Sequence, residues 1–235
     1  MVSCHNAIDE IMRGGRPPKA EIGVSEDEVY EQKKPQRPVV FMDVHGVITH
    51  SSDKYHRTPE DVQLVSGAKT ALEKLAKTHD ILLFTNQPVA KGKIESEQHI
   101  VAAFTHILDK LPKGSVKAVY AATHSGLEGA SPEHKEFETF VRSLGHASLP
   151  LHKMDGGIFL VPGKIARKPG TGMLIAAAHS HGIDLAKAFV IGDSKAKEGV
   201  AAQAAGIPAR NVHIIRTDSG ASLLQAVSKI QRQKK

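Results

Sequence analysis

A chain of 235 residues, 40% of them hydrophobic, is long enough to bury a core of about 150–200 residues beside an appendage, and too apolar for wholesale disorder. A formal charge of +6 suits anionic company (nucleic acid, phosphorylated metabolites, a ribonucleoprotein surface) or plain solubility, while 4% aromatics leave no obvious base-stacking platform. No apolar run reaches the roughly 20 residues that span a bilayer, and the lone Cys4 excludes an internal disulfide or a thiolate zinc site, so a soluble intracellular protein is expected.

Residues 1–37 read as an N-terminal arm, because Gly14-Gly15, Pro17-Pro18 and SEDEVYEQKKPQRP carry no sustained apolar period. The arm lacks the apolar core of a secretory signal, so an intracellular address is expected, with mitochondrial, cytoplasmic and nuclear ones all open. Folded structure should occupy residues 38–235. It begins at Val39, where VVFMDV is an apolar run of the kind buried parallel strands use. The spacing of Ala68, Ala71, Leu72 and Leu75 predicts a helix over residues 67–77. A second buried strand follows at residues 81–85, then a helix over 96–111 with Ser96 as its cap. A third strand is expected at 116–123, and helices at 171–181 and after Glu198. The run KAFVIGD, residues 187–193, ends in a turn. Residues 212–217 make the last strand and 221–230 a closing amphipathic helix. Strands alternating with helices imply a doubly wound parallel α/β sheet covered on both faces, with ligands at the carboxyl ends of strands.

Four chemically distinctive residues fall at those ends. Asp43, in FMDVHG at the tip of the first strand, offers a carboxylate for a hard cation or for attack on phosphorus. Thr85, with Asn86 and Gln87 behind it, supplies a hydroxyl and amides for phosphate oxygens. Lys168, in Arg167-Lys168-Pro169 ahead of a helix, supplies a cation. Asp193 follows Gly192 in VIGDS. Singly each residue fits a cap, a turn or a solvated surface. In combination they assemble a metal-assisted phosphoryl-transfer site.

The four elements, in this order over Val39 to Thr217, resemble the haloacid dehalogenase (HAD) superfamily. The strings FTNQ (84–87), KGK (91–93), ATHSGL (122–127) and RKPGTGM (167–173) look most like the polynucleotide 3′-phosphatase branch, with related histidinol- and sugar-phosphate phosphatases sharing some of them. The resemblance implies a Rossmann-like core and Mg2+ held by Asp43 and Asp193. It implies Asp43 as the phosphate-accepting nucleophile, Thr85 and Lys168 on the phosphoryl group, and Asn86, Gln87 and Arg167 toward substrate. The substrate would be a nucleic-acid 3′-phosphate or a small phosphate ester.

Three departures stand out. The family's second aspartate, the general acid and base, is His45 here. The acid four residues after Asp193 is Lys197, with Glu198 one position further on as a substitute. Residues 128–166 form an insert that either caps the site or docks another protein. A positioned acid contributes roughly 10²–10⁴-fold to rate. His45 therefore opens a second reading, a pseudoenzyme scaffold whose partners are the protein or RNA of a larger mitochondrial or ribonucleoprotein assembly.

Overall fold

The structure is a computed structural model, described here for residues 37–51, 59–87, 97–123, 152–154, 157–161 and 166–233. The arm before Arg37, most of the insert, the Ser96 cap and the KGK and HSGL strings lie outside these residues. Seven strands form one sheet in the order β4-β5-β3-β2-β1-β6-β7. They are β1 (Val39–Met42), β2 (Asp80–Asn86), β3 (Val116–Ala122), β4 (His152–Met154), β5 (Ile158–Val161), β6 (Phe189–Gly192) and β7 (Val212–Ile214). Six of them run parallel, and β4 pairs antiparallel with β5 at one edge.

Alternation along β1 explains why two helical layers form. Val40 and Met42 join one core with Leu72 and Leu75 of α1 (Ala68–Ala76), Phe104 of α2 (Glu97–Lys110) and Val227 of α5 (Gly220–Arg232). Val39 and Phe41 join the other, with Met173 and Ala177 of α3 (Gly172–His181) and Ala201 of α4 (Val200–Ala204). A strand buried on both faces needs a continuous apolar run, and that is why VVFM was readable. The sheet is doubly wound, as expected.

Sequence reading missed two strands. Ile158–Val161 and His152–Met154 fall within the segment read as an insert, and β5 pairs with β3 in register Val119↔Ile158 to Ala122↔Val161. Only four apolar residues mark β5, between Gly156-Gly157 and Pro162-Gly163, and a charged stretch precedes it. The last strand is shorter than read, ending at Ile214 rather than Thr217, so residues 215–219 form a loop. From β1 the chain winds outward through β2 and β3 to β5, then returns to β6 on β1's other side. That reversal opens a crevice at the carboxyl ends of β1 and β6.

Candidate active site

The ends of β1, β2 and β6, the segment before α3 and one turn build the crevice. Asp43 leaves β1 with its amide donating to Ile191 O at 2.9 Å, which locks the tip of β1 to β6. Its carboxylate is buried, 7% exposed, and Oδ1 accepts from Lys168 Nζ at 2.6 Å. Lys168 is itself buried, with Nζ donating to Phe84 O at 3.3 Å and lying 4.5 Å from the Phe84 ring centroid. Asn86 explains how the lysine is aimed. Its Nδ2 donates to Lys168 O at 3.1 Å and its Oδ1 accepts from Lys168 N at 2.8 Å, so the amide grips the lysine's backbone from both sides.

Glu198 completes the group. It is fully buried, with Oε1 2.6 Å from Lys168 Nζ in a charge contact, while Oε2 accepts from Ser194 N at 3.0 Å. The chain reaches it through a π-helical turn, Lys195–Gly199, which runs directly into α4. The wider turn carries the acid one position beyond the expected one, leaving Lys197 exposed. A Cβ on Gly192 would lie 2.3 Å from Glu198 Cγ, so only glycine lets this side chain cross the end of β6.

Asp43, Asp193 and Glu198 each offer a carboxylate oxygen, and the three atoms lie within 4.8 Å of one another. A set made of carboxylate oxygens alone, without sulfur or imidazole, suits a hard cation such as Mg2+. Burial, with Glu198 beside it, raises Asp43 to about 6 even though Lys168 pulls the other way. Three acids around one lysine leave a net negative pocket that a divalent cation would neutralise.

Thr85 Oγ1 is buried beside this cluster's strand ends with no hydrogen-bond partner among the described residues, as expected of a hydroxyl kept for an incoming oxygen. His45 is half-buried, with Nδ1 3.3 Å from Thr49 Oγ1 and Nε2 3.2 Å from Gln87 Nε2. Arg167 is half-buried ahead of Lys168. The residues singled out in the sequence thus gather at one end of the sheet, but Asn86 and Gln87 bond to Lys168 and His45. Thr217, whose hydroxyl donates to Asp193 Oδ2 at 2.9 Å, carried no sequence signal.

A parallel doubly wound sheet with an acidic, lysine-bearing crevice at its switch point defines a phosphatase-like protein of the HAD superfamily. More narrowly, the chain belongs to the family described as Polynucleotide kinase 3 phosphatase, which it matches over residues 39–219. It is 32% identical over 179 residues, 74% of this chain and 82% of the relative, to the D-glycero-beta-D-manno-heptose-1,7-bisphosphate 7-phosphatase of Rhodopseudomonas palustris. The corresponding D-glycero-D-manno-heptose-1,7-bisphosphate 7-phosphatase of Thermosynechococcus vestitus is 31% identical over 67% of this chain and 69% of its own. Among solved structures, D,D-heptose 1.7-bisphosphate phosphatase from B. bronchiseptica, complexed with magnesium and phosphate, shares the fold. Its TM-score is 0.56 at 20% identity, over 84% of this chain and 98% of that one. No helix among the described residues is long and apolar enough to cross a membrane.

Proposed function

We propose that the crevice is a magnesium-dependent phosphomonoesterase site with Asp43 as the phosphate acceptor. The observation that supports this reading most is Lys168, buried between the carboxylates of Asp43 and Glu198 at 2.6 Å from each, with Asp193 alongside. Asp43, Asp193 and Glu198 would hold Mg2+, which supplies Lewis-acid charge neutralisation for the phosphoryl oxygens. The chain's own groups do the rest. Lys168 fixes the rotation of the Asp43 carboxylate through Oδ1 and balances charge on the equatorial oxygens. Thr85 Oγ1 donates to one of those oxygens. Attack forms an aspartyl O–P bond and breaks the ester O–P bond, the leaving oxygen taking a proton from His45. Water then attacks phosphorus, giving a proton back to His45 and breaking the aspartyl O–P bond, which releases phosphate and restores Asp43.

The substrate we favour is a nucleic-acid 3′-phosphate, in line with the family match and the +6 charge, with a sugar phosphate as the alternative the relatives suggest. His45 favours a second reading. With both ring nitrogens within bonding distance of Thr49 and Gln87, the imidazole is a poorer proton donor than a free carboxylic acid. Turnover would then be slow or absent, and the fold would serve as a subunit of a larger assembly. Residues 1–37 and 128–166 would supply its docking surfaces.

The test uses the full chain with a 3′-phosphorylated oligonucleotide, a heptose bisphosphate and a generic phosphomonoester, with and without Mg2+. Release of phosphate that needs Mg2+ and disappears in Asp43→Asn supports the enzyme. Turnover unchanged by Asp43→Asn removes Asp43 from the chemistry. Activity confined to His45→Asp supports the scaffold.

A further inference from the structure

The loop after β7 touches the crevice at two points that the reaction described above does not use. Thr217 Oγ1 donates to Asp193 Oδ2 at 2.9 Å, and the methyl group of Thr217 faces Gly46 so closely that a Cβ there would lie 3.0 Å from it. The same Cβ would lie 2.3 Å from Asp193 Oδ2, and Gly46 has a φ of +81°. Glycine is therefore required at position 46, and the space it leaves is filled by Asp193 and Thr217. The next residue fastens the loop down. Asp218 donates its amide to Gly46 O at 2.8 Å, and its Oδ1 accepts from Ser51 N at 2.7 Å. It does so at a φ of +56°, a conformation in which aspartate is among the better-tolerated side chains.

The Thr217 hydroxyl is not needed to make this turn. Ser219 caps α5 by accepting from Ser222 N at 3.3 Å, and Ser222 Oγ accepts from Arg216 N at 3.2 Å. Those two serines satisfy one amide of the helix's first turn and one of the loop before it. What the Thr217 hydroxyl does is hold one oxygen of Asp193, the half-buried member of the acidic trio. A carboxylate at a strand tip otherwise rotates about its Cβ–Cγ bond and must be ordered when a cation binds.

We infer that Thr217 is a positioning residue for the cation site. Its hydroxyl orients the Asp193 carboxylate, and Asp218 anchors Thr217 by tying the loop to the segment after β1. This rests on the cation-binding reading proposed above. Hydrogen-bond partners behind metal ligands typically contribute 10–100-fold in affinity, and an exposed hydroxyl such as this one belongs near roughly tenfold.

The experiment is a titration of the full chain with Mn2+, the free ion being counted by electron paramagnetic resonance, alongside urea unfolding in the absence of metal. Thr217→Val keeps the shape and the methyl group but not the donor, and should weaken Mn2+ binding roughly tenfold with metal-free stability close to that of the parent. Thr217→Ser keeps the donor and should restore binding. Should the valine variant fail to fold, Thr217→Ala carries the same expectation. If the parent chain binds Mn2+ and the valine or alanine variant binds it equally well, the positioning role is overturned and the cation reading stands. If the parent does not bind Mn2+ at all, both fall together.

Discussion

Burial and the neighbouring Glu198 push Asp43 up to about 6 against the pull of a lysine 2.6 Å away, so the fold without a cation disfavours the charge its chemistry requires. A native-state value above the unfolded 3.8 means that the folded chain binds more protons between 3.8 and about 6. The cost of holding Asp43 charged is thus absent at low pH and fully present above that window. Asp43→Asn removes it, and in chelator the variant should unfold at higher urea than the parent near neutral pH, by on the order of 1 kcal/mol. The advantage should shrink as the pH falls through the window. A variant less stable than the parent near neutral pH would mean that the ion pair with Lys168 outweighs desolvation. Thr85 belongs to the same economy: a buried hydroxyl without a partner costs stability and is retained where a ligand satisfies it.

The π-helical turn decides which acid enters the site. Counting four residues from Asp193, as an α-helical turn suggests, lands on Lys197, which is exposed, whereas the wider turn over Lys195–Gly199 buries Glu198. Two variants separate these registers. Glu198→Gln keeps the side chain's size and its bond from Ser194 but removes a charge from the trio, and should weaken Mn2+ binding by at least about tenfold. Adding Lys197→Glu to it returns the charge at the wrong register and should not restore binding. Recovery in the double variant would mean that the turn re-forms as a regular helix. A second element is fixed by backbone alone. A Cβ on Gly220, the first residue of α5, would lie 1.5 Å from Ser66 O, so α5 packs against the chain before α1 with no room for a side chain. Gly220→Ala should therefore cost about 3 kcal/mol or more in urea unfolding, although alanine is the better helix former. Here lies the boundary of what the sequence shows about the site. Asp43, Thr85 and Asp193 follow apolar runs and are visible as polar residues at strand ends, and Lys168 is visible as a cation just ahead of a helix. The register of Glu198, the grip of Asn86 on Lys168 and the bond from Thr217 are tertiary contacts with no periodic signature.

At the scale of the whole molecule the same contrast holds. β1, β2, β3 and β6 are central strands buried on both faces, so each had to be written as a continuous apolar run, and each was legible. β5 is as buried, but its short run sits inside a segment whose charged stretch reads as an insert, and β4 owes its place to pairing with β5. Where the sheet meets α3 and beyond β6, two histidines make stability depend on pH. His181, at the end of α3, lies edge-on to Tyr120 and Phe159 at 6.1 Å from each, and His213 of β7 stacks on Phe189 at 6.5 Å. Desolvation lowers both from 6.5, opposed at His181 by Asp80 and reinforced at His213 by Lys229. The unfolded chain therefore takes up protons near 6.5 that the folded chain refuses until lower pH. Stability is full above that value and declines as the pH falls through it toward the folded values. Asp43 works in the opposite direction, so the measurement is cleanest in Asp43→Asn. In that background, and in chelator, the urea midpoint should fall between about pH 7 and pH 5. Adding His181→Leu and His213→Leu should flatten that part of the decline. An unchanged slope in the combined variant would show that both imidazoles are protonated as easily in the folded chain as in the unfolded one.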